Sequence, residues 1–486
     1  MSHWADNSTL GRSQAELEAS LRSYVDAAVA AGGGGGGAIF ASSDDVLFVS
    51  GTGSDAASGL GPGQAMRTLA AAYAALPSAG GRIYALPGRY DVGAGFGISR
   101  GKPLELIGVV KPEKTIGSAV TAPLSLNAAI LYTSAGAVSL VTTTSGTAGQ
   151  SLSGCKFRNL VFEFSHANTL YGIHATQVNL GEIRDCMAFA DKTSGSPGPA
   201  NVAAALAWIH DAQGTSYGGS VDASWWIIED NSVTNLALCV MGNPTGSTSS
   251  NRNWISRNYG NGLQRTNTSC LPFITLWSNH GSVVRDNNFE AYNVGLKMDS
   301  CWMCREDGDA GEAMNVFIDM YNTKGCFVSP MGASWAPLGS STPYIAGTLL
   351  VRADQFTKAN VFVLSSVWKD ANLNRVYPPI DNATNPAISF DPAALADNII
   401  ISPRYSLDAM DQGGTLTSTP GAVTTLNIPH LLGTTPDVYS AQAANANARG
   451  APAFYVTADA TNVILTFASA LTAATSYAWA WRAKAR

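Results

Sequence analysis

Ile227-Ile228-Glu229-Asp230-Asn231-Ser232-Val233 is one of four copies of a short theme. The others are Ile183-Arg184-Asp185-Cys186-Met187-Ala188-Phe189, Trp254-Ile255-Ser256-Arg257-Asn258-Tyr259 and Val283-Val284-Arg285-Asp286-Asn287-Asn288-Phe289. Each is an apolar strand broken by Asp or Asn and resumed by an apolar or aromatic residue. In a parallel β-helix every coil gives two or three short strands to long sheets, apolar side chains point inward, and Asn stacks on Asn at the turns. Gly295-Leu296-Lys297-Met298-Asp299 alternates as a half-buried strand should. Separations of roughly 25 to 50 residues between copies correspond to about one or two coils, with loop insertions at Lys192 to Ala200 and Asn243 to Asn251.

Composition agrees with an all-β chain. Among 486 residues there are 49 glycines and only 13% charged residues, so long solvated helices are disfavoured. A net charge of −6 with no run of Lys or Arg excludes a phosphate-binding footprint, and nucleic acid is not an expected partner. No stretch approaches the roughly 18 apolar residues of a membrane span, so no membrane insertion is expected. The first residues lack the basic head and apolar core of a secretory signal, which points to release into the host cytoplasm. Seven cysteines, all between Cys155 and Cys326, read as buried thiols. Cys301 and Cys304 form a lone pair with no second pair to complete a zinc site, so no metal and no cofactor is expected.

The middle segment is flanked by different material. Ser13 and Glu16 form a capping box before Leu17, Leu21, Tyr24 and Ala28, a heptad-like seam, and six glycines from Gly32 to Gly37 supply a joint. Residues 1–37 therefore read as an attachment helix and hinge, 38–405 as the β-helix body. From 411 to 486 alternating strands, Val423 to Ile428, Phe454 to Thr457, Val463 to Phe467 and Tyr477 to Trp481, read as a C-terminal β-sandwich with Tyr477, Trp479 and Trp481 on one face. A helix from Gln64 to Leu76 precedes Gly80-Gly81-Arg82-Ile83-Tyr84-Ala85-Leu86-Pro87-Gly88-Arg89-Tyr90.

That helix, turn and strand order resembles the entry segment of the pectate-lyase-like right-handed parallel β-helix family, in which phage tailspikes and tail fibres are common members. The resemblance implies a homotrimeric virion spike that binds a host cell-surface polysaccharide, capsule or lipopolysaccharide, with or without cleaving it. It also implies docking to baseplate or capsid proteins through the N-terminus. A free polysaccharide lyase or glycoside hydrolase and a structural fibre without ligand are the alternatives. Family active sites sit on different coils in different members, so no residue motif transfers.

Chemistry must come from carboxylates, because no metalloprotease, P-loop, serine-hydrolase or dinucleotide motif is present. Glycoside hydrolysis needs a protonated and an ionised carboxyl group side by side. Glu290 and Asp299 sit at outward positions of one coil, and Glu306, Asp307, Asp309 and Glu312 crowd the next connection. The expected catalytic set is Glu290, Asp299, Asp307 and Glu312, with His280, Trp302 and Lys297 binding substrate. Asp307-Gly308-Asp309 reads equally as a solvated acidic turn. A second cluster, Glu163, His166, His174, Glu182 and Asp185 with Arg184, would suit a lyase.

Overall fold

The structure, a computed structural model, describes residues 45–112 except 100, 127–144, 152–190 except 167, 203–210, 223–242, 250–265 and 270–330 except 313 and 315. It also describes 332–334, 349–363, 368–369, 375–376, 388–390, 398–401, 405–408 and 411–484 except 431, 433 and 434. The expected attachment helix and glycine joint, and the loops 192–200 and 243–249, lie outside the described residues.

Three long sheets run along a cylinder. In the first, strands from Val46–Val49 through Glu182–Arg184, Ile227–Glu229, Trp254–Ser256, Val283–Arg285 and Arg305–Asp307 to Ile399–Ile401 pair in parallel. The second contains Leu160–Phe164, Met187–Ala190, Ser232–Thr234, Tyr259–Arg265, Asn288–Tyr292 and Ala310–Glu312, and the third Tyr171–Thr176, Ala205–His210, Ala237–Met241, Ile274–Trp277, Val294–Asp299, Val316–Tyr321 and Leu349–Ala353. One coil contributes one strand to each. This is a parallel β-helix, and its hydrophobic core is the stack of inward residues. Ile183, Ile228, Ile255 and Val284 pair directly and are buried in the first sheet. All four copies of the sequence theme lie on consecutive coils, so the expectation that some separations span two coils is corrected. The interval from Ile183 to Ile228 is long because connections lengthen within one turn of the cylinder.

The theme is the turn between the first and second sheets. Asp185, Asp230, Arg257 and Asp286 all have φ between 54° and 57°, a left-handed conformation that Asp and Asn tolerate better than most side chains. The next residue points inward and builds a ladder. Asn231 donates its backbone N–H and Nδ2 to Asn258 Oδ1 at 3.0 Å each, and Asn258 donates likewise to Asn287 Oδ1 at 3.0 and 2.9 Å. Each Nδ2 also reaches a carbonyl, that of Ile183, Ile228 or Ile255. The side-chain amides of Asn231, Asn258 and Asn287 are all hydrogen-bonded in the interior, which is what allows Asn there. Asn258→Ala is expected to lower unfolding free energy by about 2–3 kcal/mol, because it strands two donors of Asn231 and the Ile228 carbonyl. Chemical denaturation with an unchanged dependence on denaturant would measure it; a shift below 0.5 kcal/mol would contradict the ladder's role.

At the start of the cylinder a helix spans Leu69–Ala75, shorter than the expected Gln64 to Leu76. Asp55 accepts the N–H groups of Arg67 and Thr68, and Thr68 caps Ala71, so the chain turns into helix only after Thr68. At the other end pairing becomes antiparallel. Tyr405–Asp408, Asp411–Ser418, Tyr477–Lys484 and Val438–Ala443 extend the first sheet, and Thr425–Pro429, Asn462–Phe467 and Phe454–Ala458 form a second sheet. They share a core of Ile428, Val463, Leu465, Phe467, Tyr477 and Trp479, with Trp481 packed at its edge, as the alternation of the last strand predicts. This is the C-terminal β-sandwich.

Candidate functional site

The sequence-derived site residues are distributed over several faces. Glu290 lies on the second sheet, where its Oε1 accepts from Tyr259 Oη at 2.7 Å and from Asn261 Nδ2. Glu312 is its register partner on the next coil. Asp299 ends a strand of the third sheet, accepts from Ser300 Oγ at 3.1 Å and stands 3.9 Å from Lys297 Nζ. Asp307 projects from the first sheet, ion-paired with Arg305 at 2.7 Å. Glu290 and Asp299 share a coil but occupy different sheets, so they are not brought together as a pair. His280 and Trp302 do meet, their rings stacked at 5.4 Å, on a narrow face between the third and first sheets.

The acidic segment after Asp299 is not a solvated turn. Glu306 and Asp309 are fully buried, Glu306 at the inward position taken by Val284 and Val328 in the neighbouring coils and Asp309 at the end of the Asn ladder. The cluster expected for a lyase is likewise divided. Glu163 is clasped by Arg89 at 2.6 and 2.8 Å on the second sheet, and Glu182 by Arg158 at 2.6 and 2.8 Å on the first. Arg184 pairs with Glu229 and Asp185 with Lys111, while the His166 ring accepts from the Asn168 N–H. Glu182 and Glu229 are held in ion pairs between neighbouring coils, and Glu163 and Asp185 in pairs that reach across one intervening coil.

His174 belongs to a different group, on the outer face of the third sheet. Tyr171–Thr176 and Ala205–His210 pair so that His174 sits opposite Trp208 and Thr176 opposite His210. The His174 and Trp208 rings are parallel within 4° at 4.7 Å, and Tyr171 and His210 flank Trp208 at 4.9 and 4.5 Å. The two histidines share a hydrogen bond, Nε2 to Nε2, at 2.8 Å. Burial first, and the neighbouring His210 second, push the His174 imidazole down to about 4, so it is neutral at pH 7. The same register continues from Trp208 through Val240, Thr275, Lys297 and Asp319 to Arg352. Arg352 grips Asp319 through two bonds of 2.6 and 2.5 Å. Lys297 lies over the rings of Trp277 and Tyr321. The row thus runs from neutral aromatic to charged, with one side chain per rung at about 4.8 Å spacing, and its middle members Val240 and Thr275 are buried, so the aromatic and charged ends are separate patches.

Sequence reasoning named Lys297 and His174 but missed Trp208, His210, Tyr171, Asp319, Tyr321 and Arg352. Partners here are 33 to 36 residues apart along the chain and share no local motif. Only the register, set by insertions of unequal length, makes them neighbours. Among the described residues no group of three or more His, Cys, Asp or Glu is placed to hold a metal ion, and no helix is long and apolar enough to cross a membrane. All seven cysteines are buried and none is in a disulfide. Burial pushes the Cys155 thiol up to about 11 and that of Cys186 to about 12, so these two are inert as nucleophiles at neutral pH.

No protein-family model matches the chain, and no curated protein matches it. Among solved structures it is similar to the Dettilon tailspike protein gp208, at 11% identity over 90% of this chain and 94% of that one, with a TM-score of 0.38. It is similar to the tailspike gp61 of Pseudomonas phage phi297, at 11% identity over 84% and 67%, TM-score 0.28. DFA-IIIase from Arthrobacter chlorophenolicus A6 in complex with GF2 matches at 12% identity over 66% and 83%, TM-score 0.38. The fold assignment rests on the strand registers described above, and phage tailspikes are among the solved structures this chain is similar to.

Proposed function

We propose that the chain is a virion spike that binds a host cell-surface polysaccharide along the outer face of its third sheet. The observation that carries the reading is the Tyr171, His174, Trp208 and His210 cluster, continued in register by Lys297, Asp319 and Arg352. Aromatic rings accept the apolar C–H faces of sugars, and fixed polar groups beside them orient hydroxyls. The aromatic and charged ends stand three rungs apart on one rigid sheet, a spacing that suits two points along a linear chain better than a compact ligand. The similarity to proteins called tailspikes supports a place on the virion, with residues 1–37 docking to baseplate or capsid proteins and the spike assembling as a homotrimer. Light scattering that gave a monomer of the whole chain would reject the assembly.

The test is binding to purified capsule and lipopolysaccharide from candidate hosts. Trp208→Ala is expected to weaken binding at least tenfold while far-ultraviolet circular dichroism stays unchanged. Undiminished affinity would overturn the site. Cleavage is a second reading with its own observation. Glu290 and Glu312 are register neighbours on adjacent strands, and glycosidases work with a pair of carboxyl groups. If a bound glycan is shortened on sizing columns, Glu290→Gln should reduce that rate by 100-fold or more. Shortening at full rate in the variant would remove this pair from consideration.

A further inference from the structure

A second strip of the cylinder combines strain, exposure and charge without an assigned role. It follows the turn from the narrow face into the first sheet. At each coil this turn has a left-handed residue whose N–H bonds to the following coil. Three coils use Gly154, Gly281 and Gly325, which take that conformation without cost. Others place Trp225 at φ 64° and Met303 at φ 51°, and these side chains are 49% and 69% exposed. A bulky residue in this conformation is strained, and neither regains the cost by burial. Such strain, coupled to exposure, marks a surface selected for contact.

Exposed aromatics here alternate with cations on neighbouring coils. Arg252 lies 4.9 Å from the Trp225 ring centre, Arg285 5.7 Å from Trp254, and Lys324 5.5 Å from Trp302. Arg285 is ion-paired with Asp286, whereas Arg252 and Lys324 have no ion-pair partner among the described residues. The outward column of the narrow face, Asn251, His280, Trp302, Lys324 and Lys358 in register, contains no carboxylate. That is notable in a chain of net charge −6. The local field is therefore positive on a protein that is negative as a whole.

We propose that this strip is a binding surface for an acidic linear glycan, separate from the third-sheet face and recognising ligand charge. Carboxylate groups of the glycan would take the open donors of Arg252 and Lys324, and the ring planes of Trp225 and Trp302 would carry the sugar faces between them. A second copy of this chain is the less suitable occupant. Two such strips facing each other would bring cations together with no carboxylate in either narrow-face column to pair them.

The experiment measures binding of the whole protein to polygalacturonate, alginate and polysialic acid, with neutral dextran as control, from 25 to 300 mM NaCl. Binding to at least one acidic polymer that falls tenfold or more across this range, with none to dextran, is expected. Lys324→Ala and Trp302→Ala, both at exposed positions, should each weaken it at least fivefold, and Tyr455→Ala, at an exposed position of the C-terminal sandwich, should leave it unchanged. Failure of all three acidic polymers to bind, equal binding to dextran, or indifference to both strip variants would overturn the proposal. So would a fall in particle mass by light scattering in the strip variants, which would make the strip a contact between copies. Loss of binding in Trp208→Ala but not in the strip variants would return the acidic ligand to the third sheet.

Discussion

Asp309→Asn is expected to raise the thermal unfolding midpoint at pH 8 by several degrees and to leave it nearly unchanged at pH 4. The reason lies in how the Asn ladder ends. Asn287 donates its N–H and Nδ2 to Asp309 Oδ1 at 2.8 and 2.9 Å, as Asn231 and Asn258 do to the rungs below them. Asp309 Oδ2 then occupies the place where an Asn would carry its amide donor, and it has no partner among the described residues. The next coil, Phe327–Ser329 followed by Pro330, supplies no further Asn. Glu306 substitutes for it, its Oε1 accepting the Asp309 N–H at 3.2 Å and its Oε2 the Ser329 N–H at 2.9 Å.

Both Glu306 oxygens accept donors whereas Asp309 Oδ2 has no partner among the described residues, so a proton on that oxygen makes Asp309 an imitation of Asn. Burial is the main cause that pushes Asp309 up to about 7 and Glu306 well above the ordinary carboxylate range; Asp309 adds to the shift of Glu306, and Asp286 and Asp307 add to that of Asp309. The sign follows. An unfolded chain releases the Asp309 proton near pH 4, whereas the fold retains it to about pH 7. The folded state binds the extra proton between those values, so the contribution of Asp309 to stability falls as pH rises through that window and is level above it. Asn removes the slope, and its gain at pH 8 is at most about 4 kcal/mol. Midpoints at pH 4, 6 and 8 measure it. Parallel curves for wild type and variant would show that Asp309 is ionised in the fold at every pH. Glu306→Gln should gain less, because its amide nitrogen meets an N–H donor that the carboxylate accepted.

This pair also shows how much was legible before the structure. The theme Val283-Val284-Arg285-Asp286-Asn287 recurs as Arg305-Glu306-Asp307-Gly308-Asp309. Aligning the two puts Glu306 in the column of Ile183, Ile228 and Ile255, and Asp309 in that of Asn231 and Asn258. Charge density obscured the period, and the segment was read as solvated. The β-helix itself was legible because its turn chemistry is local: a left-handed residue, a ladder Asn and a central aliphatic repeat within seven residues. The third-sheet face was not, because Trp208 meets His174 only after an insertion of unspecified length has closed. Nor could sequence assign Glu290 and Asp299 to different sheets, since one turn of the chain between Tyr292 and Val294 redirects every side chain that follows.

Phe289→Ala is expected to cost about 3–5 kcal/mol, the range for deleting a fully buried aromatic ring. Phe289 is central in its strand and wholly inside, stacked 5.1 Å from Phe273 and 5.1 Å from Phe317, with Tyr292 5.2 Å from Phe273. Glycines make the room for this aromatic column. A Cβ on Gly295 would come within 2.1 Å of the Phe289 ring and one on Gly260 within 2.2 Å of Phe273. Rings and glycines are therefore one packing solution, and the backbone around them has little freedom to collapse into the void. Each coil contacts chiefly its neighbours, so the loss should be local. Hydrogen exchange in Phe289→Ala should accelerate in Val283–Arg285, Asn288–Tyr292 and Val316–Tyr321 before it does in Glu182–Arg184 or Ala205–His210. Uniform acceleration along the body would mean that the cylinder opens as one unit. With local loosening, Glu290, outward beside Phe289, loses its fixed position against Tyr259, while the Trp208 face keeps its affinity. The same variant therefore separates binding on the third sheet from any chemistry on the second.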